Sequence, residues 1–88
     1  MKPKYLLVLH NDSVAGSAFA AGTNDGKVMG NPAIYCTDVD PSGYLIRAEW
    51  LHPGTRKPSV YWFPQASIAL IAQLEKDAPK PIGFVPNV

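Results

Sequence analysis

Cysteine occurs once, at Cys36, so the chain holds no internal disulfide. Small folds stapled by several bridges are therefore excluded, and a reducing compartment suits the sequence. Charge is also sparse. Asp, Glu, Lys and Arg make up 17% of the residues, and 8 basic against 7 acidic side chains leave a formal net charge of +1. That balance excludes the strongly basic surface of a generic polyanion binder, and equally an acidic mimic of nucleic acid. No apolar run approaches the ~20 residues that a membrane-crossing helix needs. In the opening stretch MKPKYLLVLHND, the run Tyr5 to Leu9 is too short for the core of a signal peptide. The expectation is a soluble, cytoplasmic protein with no membrane partner.

Histidine occurs at His10 and His52 only, and neither has a Cys, His or Glu at metal-ligand spacing. No zinc pattern exists, and no metal or other cofactor is expected. GTNDGKVMG has glycines and a lysine, but not the spacing of a phosphate-binding loop, and no helix is expected after it. Cys36 is the one thiol, and its expected place on an apolar face makes it inert. With no nucleophile, base and orienting group in evidence, catalytic residues are not assigned and an enzyme is the least favoured class.

What the sequence does have is apolar content and punctuation. The 88 residues are 47% hydrophobic, with 9 prolines and 7 glycines. One compact domain over residues 1–88 is expected, built from short elements. KYLLVLH reads as a buried strand. Residues 13–32 are rich in small side chains without a clear period. They read as a long loop or a weak hairpin, with Asn24-Asp25-Gly26 as a turn signal. SVYWF, residues 59–63, reads as another strand. Residues 65–76 contain helix formers and a broad apolar stripe behind Pro64, which predicts a helix. The alternation of Ile68, Leu70, Ala72 and Leu74 keeps a strand as the alternative. Residues 82–85 read as a short terminal edge strand between prolines. The fold expectation is α+β: a small antiparallel sheet of 4–5 short strands with one C-terminal helix packed on a face. The alternative is a small all-β barrel of SH3-like type.

DVDPSGYLIRAE, residues 38–49, fits the calcium-loop pattern D-x-[DN]-x-[DNS]-G…E. A calcium loop of this kind sits between two helices. Here the flanks PAIYCT and YLIRAEWL favour strands, HPG at 52–54 blocks an exiting helix, and Ile46 takes a position that is usually polar. The stretch reads better as a β-hairpin whose turn is Asp40-Pro41-Ser42-Gly43, a type I turn with a following left-handed residue. Pairing Asp40 with Tyr44 would set Cys36 opposite Ala48 and Ile34 opposite Trp50. Ile34, Cys36, Ile46, Ala48 and Trp50 then share an apolar face, and Tyr35, Thr37, Arg47, Glu49 and Leu51 share the other. In that register Glu49 lies too far along the strand to share a cation with Asp38.

The candidate binding residues are Tyr35, Arg47, Leu51, His52, Arg56, Lys57, Tyr61 and Trp62. On an outer sheet face, Tyr35, Leu45, Leu51 and one of Tyr61 or Trp62 would present the residue types that anchor interfaces. The favoured function is a non-enzymatic interaction protein, either self-associating or occluding the surface of a larger protein as an inhibitor or adaptor. The alternative is a nucleotide or single-stranded nucleic-acid binder, in which Trp50, His52, Arg56, Lys57, Tyr61 and Trp62 stack bases and hold phosphate.

Overall fold

The computed structural model describes residues 2–75 and 83–86. The apolar run is its middle strand, β1 (Tyr5–Leu9), with Leu6 to Leu9 almost wholly buried. A strand buried on both faces must pair its backbone on both edges. One edge pairs antiparallel with β3 (Asn31–Asp40), and the other with β6 (Ile68–Gln73). β3 continues through β4 (Leu45–Leu51) into β5 (Pro58–Pro64), giving the order β5-β4-β3-β1-β6. A three-residue 3-10 turn (Gln65–Ser67) links β5 to β6. Consecutive strands thus lie at the two ends of the path, and the sheet curls toward itself without closing. β2 (Gly26–Val28) pairs with the first residues of β3, and β7 (Phe84–Pro86) pairs with β2.

The α+β expectation fits, but among the described residues the sheet has seven strands, more than the 4–5 expected. The helix is also elsewhere. The stretch expected to be helical is the 3-10 turn followed by β6; its final Lys76 lies outside the described residues. Helix propensity loses there because β1 offers a free edge. Ile68, Leu70, Ile71, Ala72 and Gln73 pair with Leu9, Val8, Leu7, Leu6 and Tyr5, with a bulge at Val8/Leu9. That bulge lets both Ile68 and Ile71 reach the same core. The terminal strand is present as β7; Ile82 of its expected range lies outside the described residues.

The helix, α1 (Val14–Ala21), lies within the stretch expected to be loop or hairpin. Ser13 caps it: its Oγ accepts the Gly16 N–H at 2.9 Å and donates to the His10 carbonyl at 2.7 Å. Phe19 holds the helix on the sheet by edge-to-face contacts with Trp50, Tyr61 and Phe63 at centroid distances of 5.3, 5.4 and 5.8 Å. With a single large anchor among small residues, VAGSAFAA carries almost no amphipathic signature. The hairpin expected alongside is β2–β3. Its turn is Met29-Gly30, both with positive φ (49° and 83°), and Asn24-Asp25-Gly26 instead leads into β2.

The β3–β4 hairpin keeps the expected faces but not the expected register. Ile34, Cys36, Ile46, Ala48 and Trp50 join Leu7, Leu9, Val39 and Phe63 in one buried cluster, on what we call the inner face. Cys36 faces Trp50, Asp38 faces Glu49 and Asp40 faces Arg47, with a bulge between Cys36 and Asp38. The bulge at Thr37 reverses the alternation, so Val39 turns inward and Asp38 and Asp40 turn to solvent. Unbroken pairing would have buried both carboxylates. No left-handed residue occurs in the turn. Asp40 Oδ1 instead accepts the Ser42 N–H at 2.9 Å and the Ser42 hydroxyl at 2.6 Å. These bonds hold the Asp40 carboxyl below its usual range.

Gly16 sits against the chain entering the helix. A Cβ there would lie 1.7 Å from the His10 carbonyl oxygen, which is backbone and cannot step aside. Gly16→Ala is expected to lose about 1–3 kcal/mol, read as a lower urea midpoint at unchanged slope.

Candidate functional site

The eight candidate residues fall into four places. Arg47 and Trp62 are cross-strand partners on the outer face of β4 and β5. Trp62 is 58% exposed there, flanked on its own strand by Val60 at 36%. Arg47 leans the other way, with Nη1 3.4 Å from Asp38 Oδ2. Glu49, opposite Asp38, takes a 2.6 Å hydrogen bond from the Thr37 hydroxyl. Glu49 is thus beside Asp38 rather than distant from it, contrary to the expected register. Even so, no group of three or more His, Cys, Asp or Glu suited to a metal occurs among the described residues. β3 and β4, not helices, flank the calcium-like stretch.

Tyr61 points to the inner face, stacked on Phe63 at 6.0 Å and close to Phe19 and Trp50. With Ala18, Thr23 and His52, the rings of Tyr61, Phe19 and Trp50 line a shallow depression of about 330 Å³. Tyr35, Leu51, His52 and Arg56 meet in a neighbouring cleft of about 320 Å³ with Pro3, Asp25 and Pro53. Leu51, expected to be exposed, is 7% exposed. Tyr35 is half-buried and packs against Phe84 of β7 at 5.7 Å. Lys57 is exposed in the loop and lines neither depression. His52 serves the loop: its Nδ1 accepts the N–H groups of Gly54 and Thr55 at 3.0 and 3.3 Å. The expected aromatic–basic cluster is therefore divided between the two faces.

Asp25 is the residue that sequence reading missed as a site residue. Along one edge of β3, β2 pairs as far as Ala33 and β4 begins at Cys36, leaving a gap. Asp25 bridges it. Its N–H donates to the Ala33 carbonyl at 2.9 Å, and its Oδ2 accepts the Tyr35 N–H at 2.8 Å. The same oxygen accepts the Trp50 indole N–H at 3.2 Å. A side-chain carboxylate thus stands where a strand's carbonyl would be. Burial pushes its pKa above the ordinary 3.8, against the lowering effect of those two bonds and of His52. Its partners lie 10 and 25 residues away, so nothing local in NDG announces the role.

Cys36, under this edge, is wholly buried. Burial first, then the Asp25 charge, pushes its thiol up to about 12. Such a thiol is no nucleophile near neutral pH.

Comparison of the chain with protein-family models, with curated proteins and with solved structures gives no match. Among the described residues, no helix is long and apolar enough to cross a membrane.

Three predictions test this site. Asp25→Ala orphans the Tyr35 and Trp50 donors and is expected to cost about 1–3 kcal/mol for each donor left buried and unpaired. Asp25→Asn keeps an acceptor oxygen and is expected to fold. Because the folded pKa of Asp25 is raised, its contribution is fully present below the unfolded value and is lost as pH rises through the folded value. Wild type should therefore lose ground to Asp25→Asn in urea titrations as pH rises from below 3.8 toward neutrality. Cys36 is expected to stay unmodified by an aromatic disulfide reagent at pH 8 in the native protein, and to react fully once urea unfolds it.

Proposed function

We propose that this protein is a non-enzymatic interaction protein that docks a protein partner along β5. The observation that carries the reading is the free edge of that strand. β5 ends the sheet path, and among the described residues nothing pairs beyond it. Sheet edges open to solvent are normally protected by charges, bulges or extreme shortness. PSVYWFP is seven residues long, pairs with β4 without a bulge and contains no charge. The Lys57 carbonyl accepts the N–H of His52, the residue just after β4, so the nitrogen of Pro58 in the same peptide points away from β4. By alternation, Pro58, Val60, Trp62 and Pro64 direct their backbone groups to the free side. The two prolines trim that edge to the amides of Val60 and Trp62. An extended segment added there gains backbone bonds, and an apolar side chain on it covers Trp62.

The nucleotide or single-stranded nucleic-acid reading has less support. Trp62 and Tyr61 lie on opposite faces, Arg47 is drawn to Asp38, and the half-buried Asp25 carboxylate shares the cleft with His52 and Arg56. A carboxylate in that position opposes a phosphate. The catalytic alternative rests on the same cleft, where the carboxylate and the imidazole nitrogen Nδ1 are already engaged by backbone and indole donors.

The test immobilises wild type and Val60→Lys/Trp62→Lys side by side and compares what each captures from an extract of the source cells. Absorbance at 260 and 280 nm is recorded on the purified protein. Proteins held by wild type and released by the double variant, with a clean protein spectrum, are expected. Identical capture by both, or a raised 260 nm signal that disappears in high salt, refutes the reading.

A further inference from the structure

The partner that β5 fits best is a second copy of β5. Resting on the docking role just proposed, we infer that two chains join edge to edge through antiparallel β5 strands related by a two-fold axis at Tyr61. The sequence of the strand is its own complement in that arrangement. Val60 of each copy falls opposite Trp62 of the other, Ser59 opposite Phe63, and Pro58 opposite Pro64.

The backbone supports this register. Val60 and Trp62 both turn their N–H and C=O groups to the free edge, as the His52–Lys57 bond establishes for the strand. Placed opposite each other they exchange both bonds, and the two-fold repeats the exchange. The next residues in line on that edge are the prolines. They face each other, so no ladder bond forms at that position, their carbonyls are left to water, and the pairing is confined to the centre of the strand. A shift by one residue would set Val60 and Trp62 against groups that point back toward β4.

The side chains support it as well. Val60 and Trp62 lie on the outer face and are the exposed apolar pair of β5 there. In the two-fold register each exposed Trp62 covers the Val60 of the other copy, an aromatic against a β-branched residue. Tyr61, 39% exposed on the inner face, meets its own copy at the axis. In an isologous contact residue i meets j and j meets i, so like charges at paired positions of the strand would oppose it. β5 has none. Arg47 and Glu49 on β4 lie one strand back, beside Trp62 and Val60.

The test is the solution mass of the full chain by light scattering across a hundredfold range of concentration, for three proteins. Wild type is expected to reach twice the 9.5 kDa of one chain at the upper end. Val60→Lys/Trp62→Lys places like charges opposite each other across the axis, and should stay at the mass of one chain with an unchanged circular dichroism spectrum. Val60→Lys/Trp62→Glu places opposite charges there, with Lys beside Glu49 and Glu beside Arg47, and should regain the doubled mass. A doubled mass for the Lys/Lys protein, or a single-chain mass for the Lys/Glu protein where wild type is double, overturns the register. Wild type at a single-chain mass throughout overturns the self-pairing. If the immobilised wild type then still holds proteins that the Lys/Lys protein releases, the docking role survives with a different partner; if it holds none, both fail.

Discussion

The structure depends on the burial of β1. Leu6 to Leu9 are enclosed on both faces, so water cannot reach their backbone, and every N–H and C=O there has to be paired within the protein. That constraint requires a strand on each side. β3 supplies one, and the other comes from a segment whose local preferences favour helix. The reward for β6 is therefore not its own strand propensity but the ladder that β1 would otherwise leave open. Closing that ladder brings the end of the meander back beside its beginning and curls the sheet.

β3 is the second long-range element, ten residues that serve β1 on one edge and both β2 and β4 on the other. Two strands sharing an edge leave a seam, and Asp25 closes it with one oxygen. The arrangement explains how a half-buried carboxylate is tolerated: it takes the place of a backbone acceptor, and its desolvation is partly offset by the Tyr35 and Trp50 donors. It also ties the helix side of the sheet to the cleft side, since Trp50 contacts Phe19 on one flank and His52 on the other. The cleft beside His52 is thus in large part a by-product of the seam.

β5 behaves in the opposite way. One side of it completes the meander with β4, and the other ends the sheet with an apolar, uncharged edge framed by prolines. Both ends of the strand put their missing donors on the free side, so the prolines do not disturb the pairing with β4 but confine any added strand to a short central register. An edge so framed admits only a short added strand and is poorly suited to unlimited growth.

By itself, the sequence determined the elements whose signals are local. The alternating apolar faces of β3 and β4, the buried strand at KYLLVL, the strand SVYWF and the short strand near the C-terminus all follow from periodicity and from proline placement. The absence of internal disulfides follows from composition, and Cys36 sits on the apolar face that alternation assigns to it. The tertiary structure decided the rest. Whether residues 68–73 became strand or helix was set by the open edge of β1, which is sixty residues away in the chain and invisible in any local window. The bulge at Thr37 shifted the hairpin because the register that local turn chemistry prefers would have buried Asp38 and Asp40. The helix at VAGSAFAA exists through a serine cap and one phenylalanine that meets three rings from distant strands. Of the candidate residues, alternation foretold that Tyr61 and Trp62 would part, but only the assembled sheet could bring Asp25 to Tyr35, Trp50 and His52. Local preferences are small and nearly balanced, and pairing a buried backbone is worth more than any of them.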